Sequence, residues 1–291
     1  MASLKEVKTR ISSVISTQQI TKAMKMVAAA KLRKSQERII QIRPFAMKMS
    51  GIIQNLSSGN ADVDNWYNKP REEEKILIVA ISSDRGLCGS FNSNTIKGVM
   101  RLIQEKYAKQ HALNNVAILP IGKRALEHFS KRNFPIHGDY AGLFHGLSFV
   151  EAAAAGNFII QAYKKGDFDK VEVVYNHFKN IATQILVTEQ FLPVLAMSSP
   201  KKADIDYIFQ PDQEEIMTGL IPKSLKVQLY KAILDSNASE NGARMTAMDK
   251  ATENAGELLK DLKLTYNRTR QAAITKEILE IVAGAEALKS V

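Results

Sequence analysis

Hydrophobic positions at the two ends of this 291-residue chain recur every three and four residues, and those in the middle do not. From Leu4 the apolar or small positions run Val7, Ile11, Val14, Gln18, Thr21, Lys25, Ala28, Leu32, Ser35, Ile39, Ile42, Ala46, Met49, Ile53 and Leu56. That alternation is the period of a left-handed coiled coil. Ser3 and Glu6 have the spacing of a capping box, so the helix is expected to start there. Pro44 interrupts the ladder without breaking the phase, which predicts a kink rather than an end, and the helix should stop within Ser57-Ser58-Gly59-Asn60. At the other end Met245, Met248, Thr252, Ala255, Leu259, Leu262, Tyr266, Thr269 and Ala273 repeat in the same way. The phase then slips to Ile274, Ile278, Ile281, Ala285 and Leu288, an expected change of supercoil. This second helix should begin between Pro211 and Ser224. A helix of about 60 residues is roughly 90 Å long, more than a globular core needs, so the two ends are expected to pair antiparallel.

The middle follows a different pattern. Ile76 to Ile81 is a continuous apolar run suited to a buried parallel strand. A polar, glycine-bearing loop, 82–92, follows it, and then a helix from Asn94 to Lys109. Val116 to Leu119, Val171 to Phe178 and Gln184 to Val194 read as strands, the last two as a possible antiparallel pair. Arg124 to Phe129 and Phe149 to Lys164 read as helices. The expected fold class is α/β: a long antiparallel coiled coil of the terminal helices plus a central Rossmann-like, doubly wound domain. The expected segments are 1–58 for the first helix, 70–200 for the α/β domain and 211–291 for the second helix.

Charge adds a constraint. The net charge is +10, yet residues 1–56 hold eleven Lys or Arg against Glu6 and Glu37 alone. Residues 224–291 balance ten basic side chains with nine acidic ones, and the middle is neutral. The excess therefore sits on the first helix, whose partner should be acidic: nucleic acid, an anionic membrane or acidic protein loops. No apolar run reaches the ~20 residues needed to cross a bilayer, and the N-terminus shows no signal core. The single cysteine, Cys88, cannot form an internal disulfide and reads as a packing residue. The five histidines lack metal-ligand spacing, and Gly86 and Gly89 alone do not make a phosphate loop. No catalytic constellation and no cofactor site can be assembled.

One stretch, Thr17 to Met26, breaks the seam with polar residues at three successive positions. It reads either as a register-setting polar layer or as a face that meets something other than the paired helix.

Three blocks in order resemble the γ subunit family of F-type ATP synthases, the central rotor stalk: Thr17-Gln18-Gln19-Ile20-Thr21-Lys22-Ala23-Met24-Lys25-Met26, Ser83-Asp84-Arg85-Gly86-Leu87-Cys88-Gly89, and Arg244 to Met248 with Tyr266 to Ile278. The resemblance covers the whole chain and points to the bacterial type. It implies a rotor with no catalytic residues of its own, seated in a hexamer of alternating α and β subunits, with its foot on the ε subunit and the membrane c-ring. Proton flow through the ring would turn it and drive ATP synthesis at the β subunits. Lys22, Met24, Lys25, Arg244, Gln271 and Thr275 are the β-contact residues implied, and Tyr207, Phe209 and Gln210 the region near the c-ring and ε. The family often carries an acid where Gln210 stands. It further implies a place on the cytoplasmic face of a bacterial inner membrane, or the matrix face of the mitochondrial one. The chloroplast insertion with its thiol switch is absent. A basic, coiled-coil nucleic-acid-binding protein is the alternative reading of the first helix.

Overall fold

The computed structural model describes residues 3–59, 67, 71–194 and 213–289. They build helix α1 (Leu4–Gly59), strand β1 (Ile76–Ile81), helices α2 (Phe91–Lys106) and α3 (Ala108–Ala112), strand β2 (Val116–Ile121), helices α4 (Lys123–Ser130) and α5 (Phe149–Lys165), strands β3 (Lys170–Phe178) and β4 (Gln184–Leu192), and helix α6 (Gln213–Lys289). Two compact units result: Met1–Val27 with Met245–Val291, and Ala28–Arg244.

In the larger unit the sheet order is β2-β1-β3-β4. β1 pairs parallel with β2 and β3, while β4 returns antiparallel to β3. Because side chains alternate along a strand, the uniformly apolar β1 feeds two cores. Leu77, Val79 and Ile81 pack with Ile159 and Ile160 of α5 and with Leu225, Leu229 and Ile233 of α6. Ile76, Ile78 and Ala80 pack with Val99 and Ile103 of α2 and Phe129 of α4. Helices thus cover both faces, as a mixed sheet with parallel strands requires.

Local chemistry sets the boundaries. The Ser148 side chain accepts the Glu151 N–H at 3.3 Å to start α5, and Gly166 ends it in the left-handed region at φ 81°. Gly122 turns β2 into α4 at φ 101°, where a Cβ would stand 2.4 Å from the Ser82 carbonyl oxygen. The buried Glu172 carboxylate takes donors from the Tyr107 hydroxyl and Lys106. Pro44 and Pro222 both lie inside continuous helices. α2 starts three residues ahead of the expected Asn94 because the Phe91 N–H already bonds the Cys88 carbonyl at 3.3 Å.

α1 joins this unit by its second half. Leu32 and Ile39 pack on Leu234 and Ala238 of α6, and the Ser35 hydroxyl donates to the Asn237 amide oxygen at 2.6 Å. The Arg38 guanidinium reaches the Leu147 carbonyl at 3.0 Å. His177 on β3 faces the Asp235 carboxylate of α6 at 2.9 Å, and burial pushes that carboxyl up despite the histidine.

In the smaller unit α1 begins at the expected cap, with the Glu6 N–H donating to the Ser3 hydroxyl at 3.2 Å. α1 and α6 run antiparallel there, since Gln18 and Thr21 meet Thr252 while Lys25 meets Asp249.

Candidate rotor surface

Every expected seam position of α1 from Leu4 to Met49 is buried or half-buried, and most residues between them are exposed. The polar positions take part in this seam. The Gln18 amide donates to the Thr252 carbonyl at 3.4 Å, and the Thr21 and Thr252 hydroxyls lie 2.7 Å apart. Each hydroxyl also reaches a carbonyl on its own helix, Thr21 to Gln18 and Thr252 to Met248. The hydroxyl pair can therefore donate without leaving a buried orphan. Lys25 pairs with Asp249. Gln18, Thr21 and Lys25 thus form a polar layer within the seam.

What remains outward is the other side of the same turns. Lys22 is exposed, Met24 is half-buried, and Ile20, Met26 and Val27 are 59%, 61% and 56% exposed. Three large apolar side chains in water within two helical turns are more than scattered surface hydrophobes. The sequence alone does not show which of these apolar residues face outward, because that depends on where the paired helix lies.

The far end of α6 departs from expectation. Met245 to Thr269 keep their seam positions buried or half-buried. From Arg270 to Glu286 every residue is exposed, so Ile274, Ile278, Ile281 and Ala285 of the slipped repeat meet no other helix among the described residues. The reason is length. With Lys25 opposite Asp249 and Thr21 opposite Thr252, the start of α1 at Leu4 falls opposite the region of Thr269, and α1 ends there. The residues from Arg270 to Lys289 are a single helix of roughly 30 Å. Its Ile274, Ile278, Leu279, Ile281 and Val282 side chains are between 45% and 66% exposed. Gln271 and Thr275 lie on this bare segment, share one face and are both exposed; the Thr275 hydroxyl bonds back to the Gln271 backbone carbonyl at 2.9 Å.

The third group surrounds the loop between β1 and α2, at the carboxyl ends of the parallel strands, where sheets of this kind hold phosphates. Here the loop turns carbonyls, not N–H groups, toward its neighbour. Arg244 of α6 donates to the Gly86 carbonyl at 2.6 Å and the Arg85 carbonyl at 3.4 Å, while Glu240 holds the guanidinium from one turn earlier. The Ser83 N–H is taken by the Asn92 amide oxygen at 3.0 Å. Cys88 is buried beneath the loop, and desolvation pushes its thiol up despite Ser83 and Arg244, which is the environment of an inert thiol. Among the described residues no three His, Cys, Asp or Glu side chains gather as a metal site, and no helix is long and apolar enough to cross a membrane.

Comparison with known proteins decides what these surfaces belong to. A family model described as ATP synthase matches residues 3–288. An ATP synthase gamma chain of Cytophaga hutchinsonii is 58% identical over 295 residues, covering 100% of both chains, and one of Flavobacterium johnsoniae is 52% identical over 99% of each. The chain belongs to the ATP synthase gamma chain family. A chain in the cryo-EM structure of the central stalk and c-ring of Tetrahymena thermophila mitochondrial ATP synthase shares the fold with a TM-score of 0.57. It is 26% identical and covers 80% of this chain and 99% of that one. A rotor chain of Euglena gracilis mitochondrial ATP synthase shares the fold over 93% of this chain, with a TM-score of 0.63 and 20% identity. Family membership leaves the nucleic-acid reading of the basic helix without support.

Of the nine residues expected from the sequence to make contacts, six are described, and they fall into three sets. Lys22, Met24 and Lys25 sit together on α1, Gln271 and Thr275 sit on the bare end of α6, and Arg244 is bound inside the larger unit. Tyr207, Phe209 and Gln210 lie outside the described residues.

Proposed function

We infer that this chain is the turning element of a membrane-attached ATP synthase, itself without catalytic residues, coupling proton movement through a c-ring to ATP synthesis and hydrolysis on β subunits of an α3β3 hexamer. One observation carries the reading beyond family membership: the bare apolar end of α6. A single helix with five large aliphatic side chains in water cannot draw stability from tertiary packing. An apolar sleeve around it supplies what the chain lacks, and a hexamer with a central cavity is such a sleeve.

The proposed contacts rest on the resemblance and on which side chains are exposed. Lys22, Met24 and the outward Ile20, Met26 and Val27 face acidic loops of the β subunits, while Lys25 contributes charge from its pair with Asp249. Gln271 and Thr275 meet a polar loop of β around the bare helix. Arg244 belongs to the same function from within its own chain. Tyr207, Phe209 and Gln210 are the proposed contact with the c-ring and ε subunit. We place the complex on the cytoplasmic face of a bacterial inner membrane, with the matrix face of the mitochondrial membrane as the alternative. The segments 1–58, 70–200 and 211–291 serve as shaft helix, foot and shaft helix.

Reconstitution tests the reading. Mixed with purified α and β subunits, the chain should yield an α3β3γ complex whose ATP hydrolysis turns a bead attached to the foot. A complex that hydrolyses ATP equally well without the chain, or with a bead that never rotates, overturns it.

A further inference from the structure

Arg244 and Glu240 are 13% exposed by side chain, and their ion pair is directed at a loop 158 residues away in sequence. The guanidinium already has three acceptor groups within its own unit. Nε donates to Glu240 Oε1 at 2.7 Å, Nη1 to the Gly86 carbonyl at 2.6 Å and Nη2 to the Arg85 carbonyl at 3.4 Å. The Arg85 carbonyl is also approached by the Ser83 hydroxyl at 2.7 Å, the Asn92 amide at 3.5 Å and the Cys88 thiol at 3.8 Å. The cation thus completes a hub that closes the loop on itself.

The loop needs such a hold. Leu87 has φ 63° and Gly89 φ 60°. A leucine in the left-handed region costs about 1 kcal/mol or more and persists only where its surroundings dictate it. Packing does not dictate it here, because the Leu87 side chain is 66% exposed. The hydrogen bonds on either side do, and Arg244 supplies the one to Gly86. On its opposite flank the loop is tied to α4, with the Lys123 N–H on Asp84 at 3.2 Å and the Arg124 N–H on the Ser83 carbonyl at 3.1 Å. The loop therefore bridges α4 and α6. Arg244 is also the last residue of the larger compact unit, the point where α6 leaves it.

We propose that Arg244, oriented by Glu240, is a latch that fixes the β1–α2 loop to α6, and that its part in rotor function runs through this loop rather than through contact with another subunit. The functional half rests on the rotor reading above; the latch itself does not. Within the larger unit a loosened latch frees the loop from α6.

The only cysteine of the chain reports on the latch directly. Cys88 is 1% exposed and must become accessible for a thiol reagent to reach it, so its labelling rate under native conditions follows loop opening. In the full chain, Arg244→Ala should raise the rate of labelling by a maleimide about tenfold or more. Glu240→Gln should give a smaller rise, and Arg244→Lys should restore part of the protection, since one ammonium cannot span both carbonyls. Asn92→Ala, which loosens the same loop from α2, should reproduce the Arg244→Ala phenotype both in labelling and in ATP-driven proton pumping of the reconstituted complex. Labelling of Arg244→Ala within twofold of the parent overturns the latch, provided circular dichroism shows the chain folded. Faster labelling of both variants with pumping lost only in Arg244→Ala overturns the functional half and assigns Arg244 a direct contact. A parent chain that supports no pumping at all refutes the rotor reading while labelling still decides the latch.

Discussion

Replacing Ile274, Ile278 and Ile281 together by glutamine separates what the bare end of α6 does for the free chain from what it does in a complex. The three side chains are 45%, 54% and 66% exposed, so each has about half its surface left to bury. Full burial of an isoleucine is worth about 1.5–3 kcal/mol, so the remaining half is worth about 1 kcal/mol per residue. Glutamine keeps helix propensity, which confines the change to the apolar surface. In the free chain nothing is lost, and thermal unfolding should move by no more than about 0.5 kcal/mol. On assembly with α3β3 about 3 kcal/mol disappears, which is roughly a hundredfold in dissociation constant. Titrating the variant into α and β subunits while following ATP hydrolysis and size-exclusion elution reads that number. A clear drop in the stability of the free chain would refute the exposed geometry. An unchanged titration would refute the sleeve.

Gly122→Ala should destabilise the larger unit by about 3 kcal/mol, from backbone strain at φ 101° and a Cβ 2.4 Å from the Ser82 carbonyl oxygen; differential scanning calorimetry should show the midpoint fall by roughly 6–12 °C, and a shift under 2 °C counts against the stated geometry. Lys22→Glu with Lys25→Glu should lower proton pumping per ATP hydrolysed, and adding Asp249→Lys, which restores the cross-helix pair, should return shaft stability but not coupling; recovery of both would mean that only the pair with Asp249 mattered. Asp235 has its carboxyl pushed up by burial, so the folded state holds its proton more tightly than the unfolded one, and stability falls as pH rises from the ordinary aspartate value of 3.8 through the raised one. Urea titrations should therefore show the parent losing ground to Asp235→Asn as pH rises above 3.8, and a gap that is constant or opens the other way rejects the burial argument.

Much of this architecture could be read from the chain because burial and periodicity coincide. Val7, Ala28, Leu32 and Ile39 occupy heptad positions and are buried, and the continuous run Ile76 to Ile81 is a strand with no exposed face. Periodicity failed where it has no access to the partner. The repeat at Ile274, Ile278 and Ile281 is genuine helix, but nothing in its spacing shows that α1 ends opposite Thr269. The polar seam at Gln18, Thr21 and Lys25 was open to two readings because a side chain's facing depends on a helix more than 200 residues away. Arg244 was out of reach for the same reason. Its acceptors are backbone carbonyls, and a carbonyl has no residue identity for a sequence to display.

The distribution of charge on α1 bears on how a turning shaft can be held. Of the eleven basic residues before residue 57, Lys25 is the one resolved in an ion pair with α6 among the described residues, although α6 offers nine acids beyond Ser224. Arg10 and Arg33 pair along their own helix with Glu6 and Glu37, in exposed contacts worth under about 1 kcal/mol each. Most of the positive charge of α1 is therefore not paired with α6, Lys25 beside Asp249 and Arg43 near Asp235 being the exceptions. A surface that met its stator through one buried, well-packed anchor of several kcal/mol would be pinned at one angle. Many hydrated cations spread over the helix give attraction from every direction at a depth of about RT per contact. Such contacts exchange as the angle changes, and they weaken together as salt is raised. The apolar side chains that could make deeper contacts are few and placed, Ile20, Met26 and Val27 in one short stretch of α1, Ile40, Phe45 and Met47 farther along it, and the isoleucines at the bare end of α6, so any preferred stopping angle should be set by these and not by the charge.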